Sequence, residues 1–253
     1  MKVSVVGNKK IGVCFARLLK KKGFDLISYY CDDIETGVKY AVAAGCKAYV
    51  DLKRTVEESE LIIVAVADSS LKRFMRKIAS FKPENKVFCA ISNGENSDSI
   101  NIGGSNTYFS AFVPKFALEN GNFADISDTV IFFEGSGKDY WDFYDVLYVR
   151  KVNFKIIDKT QKCGLVIAAA FVTDFKKMLF GIADDVLKKA KLDDDWLIDL
   201  AEYPADKFSE QSSEFNADLH RMTLDFAAVD SDTSHKLSSV IKVLEVMGVS
   251  YFN

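Results

Sequence analysis

Two glycines, Gly7 and Gly12, constrain what this 253-residue chain can fold into more than any other feature. Ahead of Gly7, Val3, Val5 and Val6 make a short β-rich run. Around and after Gly12, Ile11, Phe15, Leu18 and Leu19 recur at helical spacing. Lys20, Lys21 and Lys22 stand at the end of that helix, where cations suit its dipole. Gly23 stops the helix, Leu26 to Tyr30 reads as a second strand, and Asp32 and Asp33 follow it. A strand, a glycine turn, a helix and a second strand in this order make a βαβ unit.

That unit is the opening layout of a dinucleotide-binding domain. The fingerprint Gly-x-Gly-x-x-Gly is met here by Gly7-Asn8-Lys9-Lys10-Ile11-Gly12. The first glycine serves the tight turn and the third lets helix and strand pack closely, so both fold-making positions are kept. The middle one, which lets a pyrophosphate approach the backbone, is Lys9. Asp32 lies about twenty residues beyond Gly12, where an acid would hydrogen-bond the adenosine ribose of NAD. A working nucleotide site and a fold whose site has decayed are both open on this evidence.

The rest of the chain sets limits. A hydrophobic fraction of 49% and a charged fraction of 27% are those of a globular protein. A net charge of −3 gives no basic surface for nucleic acid or anionic membrane. The five cysteines, Cys14, Cys31, Cys46, Cys89 and Cys163, form no Cys-x-x-Cys pair. They read as reduced cytoplasmic thiols and as neither a disulfide framework nor a metal site. The chain opens directly on a strand, so no secretory leader is expected. The longest uncharged apolar stretch, Gly164 to Thr173, is too short to cross a bilayer.

Further along, Ile34 to Ala44 is a helix and Lys47 to Val50 a short strand. Thr55 to Ser59 is a turn of helix. Leu61 to Val66 is apolar throughout, as in a parallel-sheet strand covered on both faces. Asp68 or Ser69 caps the next helix, Leu71 to Ser80. Val87 to Ile91, Tyr108 to Val113, Val130 to Phe133 and Asn153 to Ile157 are further strands, with a helix over Tyr140 to Leu147. The pattern is α/β and doubly wound. After Asp158 no strand pattern returns. Lys159 to Lys191 reads as one long helix, followed by shorter ones over Asp193–Tyr203, Glu214–Val229 and Thr233–Met247. The expected organisation is an N-terminal Rossmann domain over 1–158 and a smaller all-α domain over 159–253.

With these stretches in place the chain resembles the 6-phosphogluconate-dehydrogenase-like superfamily. Within it, the chain looks most like Rossmann-like oxidoreductases related to pyrroline-5-carboxylate reductase. The matching segments are VVGNKKIGVCFARLLKKKGFDLISYY, ELIIVAVADSSLKRF, AISNG, FVPKF and AAAFVTDF. The relatives' Pro-Asp, His-Thr-Ser-Gly and His-Pro are here Ala67-Asp68, Ile91-Ser92-Asn93-Gly94 and Val113-Pro114, and their C-terminal Thr-Gly-Pro is absent. The resemblance implies nicotinamide-dependent reduction of a C=N or C=O bond in a small molecule. It places the cofactor on Gly7, Asn8, Lys9, Lys10, Ile11, Gly12, Asp32, Ala67, Asp68 and Ser92. Relatives often carry Ser-Arg after the second strand, where Arg takes the 2′-phosphate of NADP. Cys31-Asp32 stands there instead, so NAD is expected ahead of NADP.

Candidate catalytic groups follow. Ser92 and Asn93 close the fifth strand and can hydrogen-bond a ribose or a substrate, or simply make a polar turn. Asp174 shares a helical face with Ile167, Ala170, Phe171, Met178 and Gly181. Buried there, its pKa would rise, which suits proton donation; exposed, it would pair with Lys177. Thr173 is a weaker candidate, and His220 and His235 have no partner at a telling spacing. The segment Gly164–Phe171 is apolar all round its helix and therefore has to be buried all round, which predicts a homodimer through the C-terminal helices. The second functional class compatible with the residues is a non-catalytic nucleotide sensor or scaffold, favoured by Lys9 and the missing histidines.

Overall fold

The computed structural model describes residues 1–114, 118–119, 122–137, 140–171, 176–189 and 191. The chain divides into two compact units, Met1–Ala169 and Ala170–Asn253. The first opens with β1 (Lys2–Val6), α1 (Ile11–Lys21), β2 (Asp25–Tyr30), α2 (Ile34–Ala44), β3 (Lys47–Tyr49) and α3 (Leu52–Glu58). It continues with β4 (Leu61–Val64), α4 (Asp68–Ala79), β5 (Val87–Ile91) and β6 (Thr107–Phe112). A small hairpin of β7 (Leu118–Glu119) and β8 (Asn122–Phe123) leads to β9 (Ile131–Gly137), α5 (Tyr140–Val149), β10 (Phe154–Ile156) and α6 (Lys159–Ala170). In the second unit the described helix is α7 (Lys176–Lys189).

Eight of these strands form one sheet in the order β10-β9-β6-β5-β4-β1-β2-β3. Alternate side chains feed two cores on its opposite faces. Val5, Ile63, Cys89 and Phe109 pack with Phe15 and Leu19 of α1 and with Phe143 and Leu147 of α5. Val6, Ile62, Val64 and Phe88 pack with Leu52 and Val56 of α3 and with Leu71, Met75 and Ile78 of α4. Every residue of β4 is fully buried, as its unbroken apolar run requires. The doubly wound α/β architecture is therefore as expected.

The two glycines act as their positions demand. Gly7 sits at φ +125°, and a Cβ there would lie 2.3 Å from the Ala65 carbonyl oxygen. A Cβ on Gly12 would meet the Tyr29 hydroxyl at 2.6 Å and the Ala65 Cβ at 2.7 Å. Helix α1 can approach the sheet this closely only without side chains at these points.

Three features differ from the sequence expectation. The sheet is not wholly parallel, because β9 runs antiparallel to β6. The segment joining them carries a hairpin and no crossover helix among the described residues, and a parallel return needs such a crossover. Helix α3 starts at Leu52, ahead of Thr55, because the Asp51 carboxylate caps the amides of Lys53 and Arg54. Helix α4 starts at Asp68 with Ala67 in the cap position and no side-chain cap, so neither Asp68 nor Ser69 caps it. The segment expected to be one helix over 159–191 is helical over α6 and α7, while residues 172–175 lie outside the described residues. The three shorter helices expected after Leu192 also lie outside them.

Candidate functional site

The strand order reverses between β4 and β1, so a crevice opens above their carboxyl ends. The turn after β1 forms its floor. Gly7 N–H donates to Tyr30 O at 2.9 Å and Lys9 N–H to Ala65 O at 2.8 Å, which ties the turn to β2 and to the segment after β4. The cap position of α1, Lys10, makes no side-chain hydrogen bond, and the helix has no acid in its first turn. Such a helix start suits an anion. Ile11 is partly buried and Gly12 buried beneath it.

On the β2 side of the crevice is a cleft of about 560 Å³, lined by Gly7, Asn8, Asp32, Ala67, Arg73 and Lys77 among others. Its volume suits an adenosine moiety. Asp32 does line it, and one of its two oxygens, Oδ1, carries partners that the spacing does not show. Its carboxylate accepts from the Tyr30 hydroxyl at 2.7 Å and from Lys77 Nζ at 2.9 Å. The Tyr30 hydroxyl first, and then Lys77, hold its carboxyl below the usual range.

On the β5 side the structure gathers Lys9, Asp68, Ser92 and Gly94. The Lys9 ammonium reaches from the glycine turn to Asp68 Oδ1 at 3.1 Å and to Ile91 O at 3.0 Å. The other carboxylate oxygen of Asp68 accepts from Ser92 Oγ and from Gly94 N–H, both at 2.8 Å. Burial pushes the Asp68 carboxyl up, but the Gly94, Ser92 and Lys9 hydrogen bonds outweigh it and hold the group below its usual value. Ser92 is fully buried and its oxygen also accepts from Glu95 N–H at 2.8 Å. Asn93 is exposed on the same turn and joins none of these bonds. Lys9 lies outside the left-handed region, so its backbone does not require glycine.

A second cation completes this end of the sheet. Lys162 of α6 is 3% exposed. Its ammonium donates to Glu95 O at 2.5 Å and to Ser110 Oγ of β6. Burial pushes its pKa down, against the pull of Glu134, Asp68, Cys89 and Glu95. Sequence reasoning missed it, because Lys162 sits in a polar first turn, where lysine normally faces water. The partners that bury it lie more than fifty residues away. Asp174, Thr173, His220 and His235 lie outside the described residues.

These residues fit a dinucleotide unevenly. The adenosine cleft and the open start of α1 are shaped for one. The path towards β5 is crossed by the Lys9 side chain, whose ammonium must move aside or pair with the phosphates. Among the described residues no group of His, Cys, Asp and Glu could hold a metal ion, and no helix is long and apolar enough to cross a membrane.

No family profile matches the chain, and no curated protein matches it in sequence. Solved structures do match in fold. A provisionally assigned NADP oxidoreductase from Bacteroides fragilis superposes with a TM-score of 0.71 at 17% identity, covering 96% of this chain and 97% of its own. An imine reductase from Myxococcus stipitatus in complex with NADP+ gives 0.68 at 12% identity, over 99% and 96%. A reductive aminase from Aspergillus terreus in complex with NADPH and ethyl-5-oxohexanoate gives 0.65 at 13% identity, over 100% and 96%. Both of these complexes hold the phosphorylated cofactor. At such identities the likeness is one of fold alone, and the fold is of the Rossmann type.

Proposed function

We propose that the chain is a reductase that uses a nicotinamide dinucleotide, NADP(H) ahead of NAD(H), to reduce a small imine or carbonyl compound. The observation that carries this reading is the hydrogen-bonded cluster Lys9–Asp68–Ser92–Gly94, standing at the topological switch point beside an adenosine-sized cleft. A decayed site has no need to keep a carboxylate with three donors aimed at it. The folds shared with imine-reducing and NADP-dependent enzymes support the reaction class. The kinship with pyrroline-5-carboxylate reductase belongs to this proposal and rests on the motif outline alone.

The glycine turn and the start of α1 would hold the pyrophosphate once the Lys9 side chain moves aside. When bound, the nicotinamide ring supplies a hydride to the substrate carbon. The chain has to orient the reacting bond and supply one proton. Ser92 is unsuited to giving that proton, because its hydroxyl hydrogen points at Asp68 and its oxygen already accepts from Glu95. Ser92 and Asp68 therefore orient, with Asn93 free on the same turn to contact substrate. Asp174 is the proposed donor, on the sequence reading alone of an acid within an apolar stripe. Lys162 holds a second proton that burial loosens.

A homodimer is part of the proposal. Within the chain α6 leaves Ile167 52% exposed and Leu165 and Val166 only half-buried, so the apolar segment is incompletely covered. A second copy covers it best. The three buried thiols Cys14, Cys31 and Cys89 support a reducing, cytoplasmic setting. The test of function is loss of NADPH absorbance with a panel of cyclic imines, ketones and ketone–amine pairs. Turnover of at least one class that Asp174→Asn abolishes is expected. NADPH binding with no turnover of any of them would leave a nucleotide-binding protein instead.

A further inference from the structure

We propose that helix α4 builds a 2′-phosphate site in the adenosine cleft, with Arg73 and Lys77 as its cations. This rests on the dinucleotide reading above and deepens it. Relatives resembled by the sequence take that phosphate with Arg after the second strand; here the position carries Cys31-Asp32, and the turn offers no cation.

Ser70, Arg73, Phe74 and Lys77 share one face of α4 by helical spacing, and all four line the cleft. Both carboxylates at the cleft are already engaged. Asp32 takes the Tyr30 hydroxyl and Lys77, and Asp33 takes Thr36 N–H at 3.0 Å as the cap of α2. Those bonds fall on Asp32 Oδ1 and Asp33 Oδ2, so each carboxylate keeps a second oxygen for a ribose hydroxyl. The case for a phosphate rests on the two cations of α4. Lys77 is positioned at the cleft by Asp32 and by the Tyr30 ring, whose centre lies 5.9 Å from its ammonium. Arg73 stands one turn earlier and is in no ion pair among the described residues. Its planar fork matches two phosphate oxygens, and Lys77 adds a point charge beside them. Ser70 and Thr36 line the same cleft with hydroxyls. Asp32 then serves as the tether of Lys77 at the cleft. Two acids facing two bases keep the preference moderate.

The test is calorimetric titration of the full chain with adenosine 2′,5′-bisphosphate and with 5′-AMP. The expected result is tighter binding of the bisphosphate by about tenfold, as one or two charge-assisted contacts give at an open site. Arg73→Gln and Lys77→Gln should each lower that ratio severalfold while leaving AMP affinity in place. Lys77→Arg should restore it, and Asp32→Asn should raise it. Equal affinity for the two nucleotides, or a ratio that neither glutamine variant moves, overturns the site. Titrations with NADPH and NADH separate the two levels. Binding of both without preference removes the phosphate site alone, and binding of neither removes the dinucleotide reading with it.

Discussion

Asp68→Asn probes the cluster at the crevice selectively. An asparagine carbonyl oxygen can take the place of Oδ2 and keep the bonds from Ser92 Oγ and Gly94 N–H, both 2.8 Å. The amide NH2 then replaces Oδ1 and faces the Lys9 ammonium, 3.1 Å from the old oxygen. Two donors meet there, so Lys9 keeps only Ile91 O. The change weakens two charge-assisted bonds to neutral ones and removes one ion pair whose partners are each 31% exposed. A charge-assisted bond contributes roughly 1.5–3 kcal/mol against about 1 for a neutral one, and a screened ion pair under about 1. The expected loss is about 2 kcal/mol, or roughly 4–8 °C in melting temperature for a unit of this size. The pH dependence has a definite sign. The folded Asp68 carboxyl is held below its usual value, so its stabilisation is complete above about pH 4 and fades as the pH falls through the folded value. The gap between wild type and Asp68→Asn should be full near neutrality and close in acid. Urea midpoints of both proteins along a descending pH series measure it. No gap at neutral pH, or a gap that persists unchanged in acid, would refute the assignment of Lys9, Ser92 and Gly94 to this carboxylate.

Three further outcomes are expected. Lys9→Gly should tighten NADPH binding in calorimetry without changing the circular dichroism, because it clears the crevice of a side chain now held on Asp68 and Ile91. Lys162→Met should change stability at neutral pH by less than about 1 kcal/mol, since it removes a buried charge along with its bonds. The folded Lys162 value is depressed below 10.5, so wild-type stability should climb as the pH rises from that folded value towards 10.5. Lys162→Met should lack that climb in urea denaturation. Ile167→Asp should convert a dimer into monomers in light scattering, and a wild-type protein already monomeric at micromolar concentration removes the dimer proposal.

Much of the first unit was legible because its signals are local. Gly7 and Gly12 mark a turn that no side chain would fit, and α2 spans Ile34–Ala44 as its pattern indicates. The Asp51 cap that starts α3 was equally local and was overlooked. The direction of β9 was not legible, since a strand's residues record which faces are buried and not which way its neighbour runs. The site was half legible for the same reason. Spacing finds the positions of Asp32, Asp68 and Ser92, but their partners are remote in sequence: Lys77 for Asp32, Lys9 and Ser92 for Asp68. Spacing therefore marks Asp32 as a ribose acceptor but says nothing of Lys77 and Tyr30, which share its Oδ1. Lys162 was invisible because only the folded sheet buries it.

The central claim is that the crevice between β1 and β4 holds a phosphorylated nicotinamide dinucleotide. Calorimetric titration of the purified full chain with NADPH, set against NADH, tests it most directly. The account predicts saturable binding of one NADPH per chain with affinity in the micromolar range, and weaker binding of NADH. An absence of binding heat for both cofactors up to millimolar concentration would contradict it.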